Sequence, residues 1–118
     1  MDRNLFSLSA LSRAVETRDS AAMRDFYAEN ARICIIDRDH PPSRPQEIVG
    51  RSAIAAYFDD VCGRTMTHKV QNGLVNGERI AFTQACTYAD GTRVFCSAMA
   101  ELKGGKIASQ TIVQAWDA

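Results

Sequence analysis

Between Met66 and Trp116 the side chains alternate with a period of two, punctuated by Asn76-Gly77, Asp90-Gly91 and Gly104-Gly105. That alternation specifies half-buried strands, and Asn-Gly and Asp-Gly are strong hairpin signals. The stretch predicts a four-strand antiparallel meander. Upstream the apolar period becomes helical. Leu8, Leu11 and Val15 predict a helix over residues 7–17. Asp19 or Ser20 can cap a second helix, whose apolar stripe is Ala22, Met23, Phe26 and Tyr27. Residues 31–36 are apolar and β-branched and predict a short strand. Residues 37–49 hold all three prolines and predict a loop. Residues 50–62 predict a third helix, with Ile54, Tyr57, Phe58 and Val61 on one side and Gly63 at the C-terminal stop. The order ααβαββββ predicts a single α+β domain over residues 1–118, with three N-terminal helices packed on a curved, mainly antiparallel sheet.

Pairing the meander residue by residue gives its faces. Two-residue turns at Asp90-Gly91 and Gly104-Gly105 put Ile80, Phe82, Gln84, Cys86, Tyr88, Phe95, Ser97, Met99, Glu101, Gln110, Ile112, Gln114 and Trp116 on one face. This face is bulky and apolar with polar groups set into it, which is how a cavity wall is built. The other face carries Ala81, Thr83, Ala85, Thr87, Cys96, Ala98, Ala100, Leu102, Ile107, Ser109, Thr111, Val113 and Ala115. It is small and nearly uncharged, and predicts a homodimer interface through the sheet. For residues 66–75, a three-residue loop through Glu78 puts Met66, His68, Val70, Asn72 and Leu74 on the cavity face. A two-residue turn would put Lys69 and Gln71 there instead. The first choice buries the apolar set and is preferred.

Composition adds exclusions. Acidic and basic residues balance at fourteen each, and the basic ones form no run with interleaved aromatics. No field recruits nucleic acid or an anionic membrane. No apolar stretch approaches the roughly 20 residues of a membrane span, and residues 1–15 lack a signal peptide's layout. The expected location is cytoplasmic. Cys34, Cys62, Cys86 and Cys96 form no CxxC, and two histidines provide no zinc spacing. No metal or cofactor is expected. In the two-residue register Cys86 and Cys96 fall on opposite faces and cannot bridge; a three-residue loop with a bulge would bring them opposite each other, and the first register is preferred.

Three stretches, RDSAAMRDFYAENARI, VGRSAIAAYFDDV and GGKIASQTIVQAWD, occur in this order and cover nearly the whole chain. Through them the chain resembles the nuclear transport factor 2-like superfamily, and within it the SnoaL-like and ketosteroid-isomerase-like proteins. The resemblance implies a cone-shaped α+β fold with a ligand cavity, often dimerised through the sheet. Members include isomerases, dehydratases, cyclases, epoxide hydrolases and non-catalytic binding modules. The isomerase pattern of an aspartate base, a tyrosine and a second aspartic acid falls on Ile35, Leu11 and a position near Phe95, so steroid isomerisation is not expected. Two aspartates bracketing an arginine, the epoxide-hydrolase pattern, are not visible on the cavity face.

His68 is the leading general acid/base candidate, because an imidazole titrates near neutrality. Asp37 ends the first strand and is a base at the cavity mouth or a turn former. His40, in the proline loop, is expected to be solvated. Gln84, Gln110 and Gln114 offer neutral donors and acceptors to a ligand. Tyr57, Phe95 and Trp116 offer walls that stack on a planar ligand. Cys86 is the predicted cross-strand neighbour of His68, which makes a Cys–His pair conceivable, although no third orienting group is apparent. The expected function is binding of a small cyclic or polyketide-like compound, with or without cofactor-free isomerase, dehydratase or cyclase chemistry. The alternative is a non-catalytic ligand-binding or dimerisation module.

Overall fold

The computed structural model describes residues 6–117. Its elements are α1 (Leu8–Glu16), α2 (Ser20–Asp25), β1 (Tyr27–Ile36), β2 (Gln46–Val49), α3 (Arg51–Cys62), β3 (Met66–Asn76), β4 (Arg79–Tyr88), β5 (Arg93–Lys103) and β6 (Lys106–Trp116). Side chains start both short helices. Ser7 Oγ accepts from Ala10 N, and Asp19 Oδ1 accepts from Ala22 N, each at 3.1 Å. Such caps satisfy amides that have no partner inside the helix. The second helix stops at Asp25, so Phe26 and Tyr27, expected on its apolar stripe, lie beyond its end and Tyr27 opens β1.

All six strands form one sheet in the order β2-β1-β6-β5-β4-β3. β1 runs parallel to β6, with Ile33 opposite Gln110 and Ile35 opposite Ile112. β2 is antiparallel to β1 and lies inside the stretch expected to be a loop. Its four residues follow Pro45 and carry too short a pattern to announce a strand. Leu11, Ile33, Ile35, Ile54, Ile80 and Ile107 are almost fully buried between helices and sheet. A second apolar cluster gathers Met66, Cys86, Val94 and Cys96.

The meander keeps the two-residue turn at Gly104-Gly105, with Lys103 opposite Lys106, but departs from the hairpin arithmetic elsewhere. Tyr88 N donates to Thr92 O at 2.8 Å and Gly91 N to Tyr88 O at 3.0 Å, so the β4–β5 loop holds three residues, 89–91. Gly91 takes φ +92 there, a region that favours glycine. The added residue pairs Cys86 with Val94 and Gln84 with Cys96, and inverts β5. Val94, Cys96, Ala98, Ala100 and Leu102 point inward, whereas Phe95 and Met99 are 48% and 63% exposed on the outer face. A second irregularity, between Glu101 and Leu102 in the β5–β6 pairing, returns Gln110, Ile112, Gln114 and Trp116 to the inner face, with Ile107 buried. The two offsets cancel across β5. The faces of β4 and β6 therefore stand as expected, apart from Ile107, while that of β5 is reversed.

At the sheet edge, β3 turns through Gly77 and Glu78, with Asn76 opposite Arg79. The irregularity sits instead at Asn72 and Gly73, where Asn72 has φ +53. Beyond it Leu74 faces outward and is 59% exposed. Before it, His68 lies opposite Cys86, the expected pairing reached by a different route. Helix α1 crosses this bulge. Glu16 Oε2 accepts from Val70 N at 3.0 Å, which protects an edge amide. A Cβ at Gly73 would run into the Leu8 side chain.

Candidate functional site

Helices and sheet enclose a cavity of about 320 Å³. Residues of both apolar clusters line it, among them Ile35, Phe58, Phe82, Met66 and Val94. Asp37, Tyr57, His68, Gln84, Gln110, Gln114 and Trp116 all line it as well. Phe95, expected among the walls, does not, because the longer β4–β5 loop turns it to the outer face. Cys96, expected outside, takes an inner position.

The mouth is built by a tight turn after β1. Asp37 N donates to His40 O at 3.0 Å and His40 N to Asp37 O at 3.2 Å. The Asp37 carboxylate accepts from Asp39 N at 3.0 Å and meets His40 Nδ1 at 2.8 Å. The same side chain thus forms the turn and orients an imidazole. His40 lines the cavity and is bound to the carboxylate while its side chain stays 38% exposed. With Nδ1 held by the carboxylate, Nε2 becomes the ring's proton-transfer position. Between these two residues, Arg38 lays its guanidinium over the Trp116 ring at 4.3 Å. Such a cation–π contact contributes about 0.5–2 kcal/mol. Tyr88 stacks with Trp116 at 5.8 Å, and Arg64 Nη1 donates to the Tyr88 hydroxyl at 2.9 Å. Trp116 Nε1 donates to Gln114 Oε1 at 3.3 Å.

Deeper, the Tyr27 hydroxyl donates to Gln110 Oε1. Burial pushes the Tyr27 phenol far above its ordinary range, so it stays protonated and donates. Gln110 Oε1 is thereby engaged, and Gln110 lines the cavity. Burial likewise pushes the Tyr57 phenol up to about 12. On the β3–β4 wall, His68 Nδ1 lies 3.1 Å from Cys86 Sγ, with Gln84 Nε2 3.4 Å from both atoms. The Cys–His pair therefore exists, and Gln84 and Cys96 are the orienting neighbours that sequence reasoning did not find. Arg38, His40, Arg64 and Tyr27 were also missed. Only His40 had a local signal, its three-residue spacing from Asp37 across a turn.

The sequence model of the SnoaL-like domain matches residues 8–110. The chain belongs to the SnoaL-like family. A comparison with curated proteins found no match. Solved structures similar to this SnoaL-like chain include an NTF2-like protein of unknown function from Burkholderia xenovorans. It is 20% identical over 94% of this chain and 81% of its own, with a TM-score of 0.79. Another, from Mesorhizobium loti, is 17% identical over 94% of this chain and 88% of its own, at 0.75. A third is an epoxide hydrolase/cyclase-like enzyme of pyran ring formation in the polyether salinomycin. It is 22% identical over 93% of this chain and 87% of its own, at 0.70. At these identities the likenesses establish the fold alone. No helix among the described residues is long and apolar enough to cross a membrane. Among the same residues, no group of three or more His, Cys, Asp or Glu is placed to hold a metal ion.

Proposed function

We propose that the cavity binds a small, largely apolar cyclic or polyketide-like carbonyl compound. In this reading the protein is a cofactor-independent isomerase, dehydratase or cyclase. These reactions share one step, removal of a proton next to a carbonyl. The observation that carries the reading is the Asp37–His40 pair at 2.8 Å on the wall of a mostly apolar cavity. A carboxylate that fixes one imidazole nitrogen leaves the other as a general base, which typically contributes about 10²–10⁴ in rate. His68 faces the same cavity and supplies a second titratable imidazole. Gln84, Gln110 and Gln114 supply uncharged groups to hold the carbonyl oxygen. Tyr57 and Trp116 supply flat walls.

The test is deuterium exchange next to the carbonyl of cyclic ketones and enones in D₂O, followed by proton NMR. The wild-type protein should accelerate exchange. Asp37→Asn and His40→Gln should each lower that acceleration by about 10² or more, with binding retained in thermal-shift assays. Binding without exchange would favour the alternative, a non-catalytic ligand-binding module. Neither binding nor exchange across the panel would defeat the reading.

The outer sheet face is read as the contact with a second copy. Phe95, Met99 and Val113 are exposed there beside Ala81, Ala85 and Ala115, and charges such as Arg79 and Glu101 sit toward the β4–β5 strand ends. An exposed apolar face of this kind is uncommon on a monomer.

A further inference from the structure

Cys86 is the best surrounded of the four cysteines. It lies on β4 among Met66, Val94 and Cys96, 4% exposed overall, yet it lines the cavity. Cys86 therefore borders the space in which a bound molecule would lie. Two side-chain nitrogens converge on its sulfur. His68 Nδ1 is 3.1 Å away and Gln84 Nε2 is 3.4 Å away. Cys96 lies diagonal to it across the β4–β5 pair. A thiolate is stabilised by an adjacent imidazolium and by an amide N–H.

We infer that Cys86 is a nucleophile, activated by His68, that takes α,β-unsaturated carbonyl compounds bound in the cavity as thioether adducts. In the step, the thiolate forms a carbon–sulfur bond at the β-carbon. The π electrons of the carbon–carbon double bond move toward the carbonyl as an enolate. The imidazolium of His68 returns the proton to the α-carbon and becomes neutral. Nothing leaves, and neither oxidant nor reductant is consumed. Reversal regenerates the thiolate–imidazolium pair. The inference rests on the cavity reading for its ligand class, and it adds a covalent step distinct from the Asp37–His40 pair.

The local electrostatics agree. Hydrogen bonding from Cys96, then from His68 and Gln84, outweighs burial and holds the Cys86 thiol well below its ordinary range. The contact with Cys86 and burial push the Cys96 thiol up. Other titratable groups around the cavity divide by element. Tyr57 on α3 stays protonated, Cys62 on α3 is pushed up by burial, Arg64 lies just beyond α3, and the Asp37–His40 pair sits at the mouth. Cys34, on β1, does not line the cavity.

The experiment treats the whole protein with cyclohexenone across a pH series, followed by intact mass and peptide mapping. One equivalent should add at Cys86 before Cys34, Cys62 or Cys96. The rate should reach half its plateau well below the ordinary thiol value of about 8.5. His68→Asn and Cys96→Ala should each move that midpoint upward, and Cys86→Ser should abolish the fast adduct. The wild-type pH profile alone keeps the inference testable should a variant fold poorly. A wild-type midpoint at about 8.5 or above, or first addition at another cysteine, would overturn it. Cyclohexanone, which lacks the double bond, separates the two readings. If it raises Tm in wild type and Cys86→Ser while cyclohexenone forms no adduct, the thiolate fails and the cavity stands. If it raises Tm in neither, the cavity reading fails, and the covalent inference loses its ligand class with it.

Discussion

Removing the Tyr27 hydroxyl should expose how much of this fold hangs on one buried hydrogen bond. Tyr27 is 2% and Gln110 5% exposed, and the phenol donates to Gln110 Oε1 across 83 residues of chain. Tyr27→Phe keeps the ring, so its packing on Phe58 at 5.5 Å survives. What is lost is the bond, and what remains is a buried carbonyl oxygen without its donor. Leaving such a group unsatisfied costs about 1–3 kcal/mol, partly offset because the hydroxyl itself no longer has to be desolvated. A net loss of about 1–2 kcal/mol follows. Unfolding entropy near 2.1 cal/mol/K per residue gives about 0.25 kcal/mol/K for this chain, so Tm should fall by about 4–8 °C. Gln110→Leu should cost a similar amount by stranding the hydroxyl. The double variant Tyr27→Phe/Gln110→Leu should cost less than the two singles together, with a coupling of about 1 kcal/mol or more. Urea melts of the four proteins measure this cycle directly. Additivity within about 0.5 kcal/mol would refute the argument that these groups satisfy only each other.

Alkali should destabilise the protein through the same burial of phenols. Tyr57 is pushed up to about 12 by desolvation, against about 10 in the unfolded chain. Folding therefore favours the protonated phenol. That stability is complete below about pH 10 and declines as pH rises toward 12, by roughly 3 kcal/mol in all. Tyr57→Phe should make the decline visibly shallower in urea melts from about pH 9 to about 12; an unchanged decline would count against the desolvation argument. On the outer face, Met99→Lys should convert a dimer to monomer in sedimentation experiments. Met99 is 63% exposed, so the change should cost the folded monomer only within about 0.5 kcal/mol. A wild-type protein that is monomeric at high concentration would dismiss the sheet-face contact.

The helices were legible because amphipathic spacing and capping residues are local. Ser7 and Asp19 cap α1 and α2, and Asp19 was one of the two caps named for α2. The inner faces of β4 and β6 were equally legible, and with them Gln84, Gln110, Gln114 and Trp116. β5 was not. The two-residue turn expected at Asp90-Gly91 put Phe95 and Met99 on the wrong face, whereas the burial pattern follows Val94, Cys96, Ala98, Ala100 and Leu102. His68 illustrates the opposite case. Its position opposite Cys86 was anticipated, but the turn offset expected to produce it occurs as a bulge at Asn72 and Gly73. β2 escaped notice because four residues are too few to display a period.

What the chain determined by itself were properties carried within a few residues: the helical and strand periods, the turn sites, the caps and the alternation of faces. Which face of β5 turned inward depended on a single residue in the 89–91 loop, since a period of two converts any odd slip into a full inversion. Dipeptides such as Asp-Gly mark a turn without counting its residues. The parallel pairing of β1 with β6, the addition of β2, the placing of Arg38 on Trp116 and the gathering of His68, Gln84, Cys86 and Cys96 on one wall required the assembled six-stranded sheet. These contacts join distant segments, and their partners are chosen by burial and satisfied hydrogen bonds in the assembled interior. The side chains available for a cavity were therefore written locally, whereas the neighbours that give them chemistry were decided by tertiary structure.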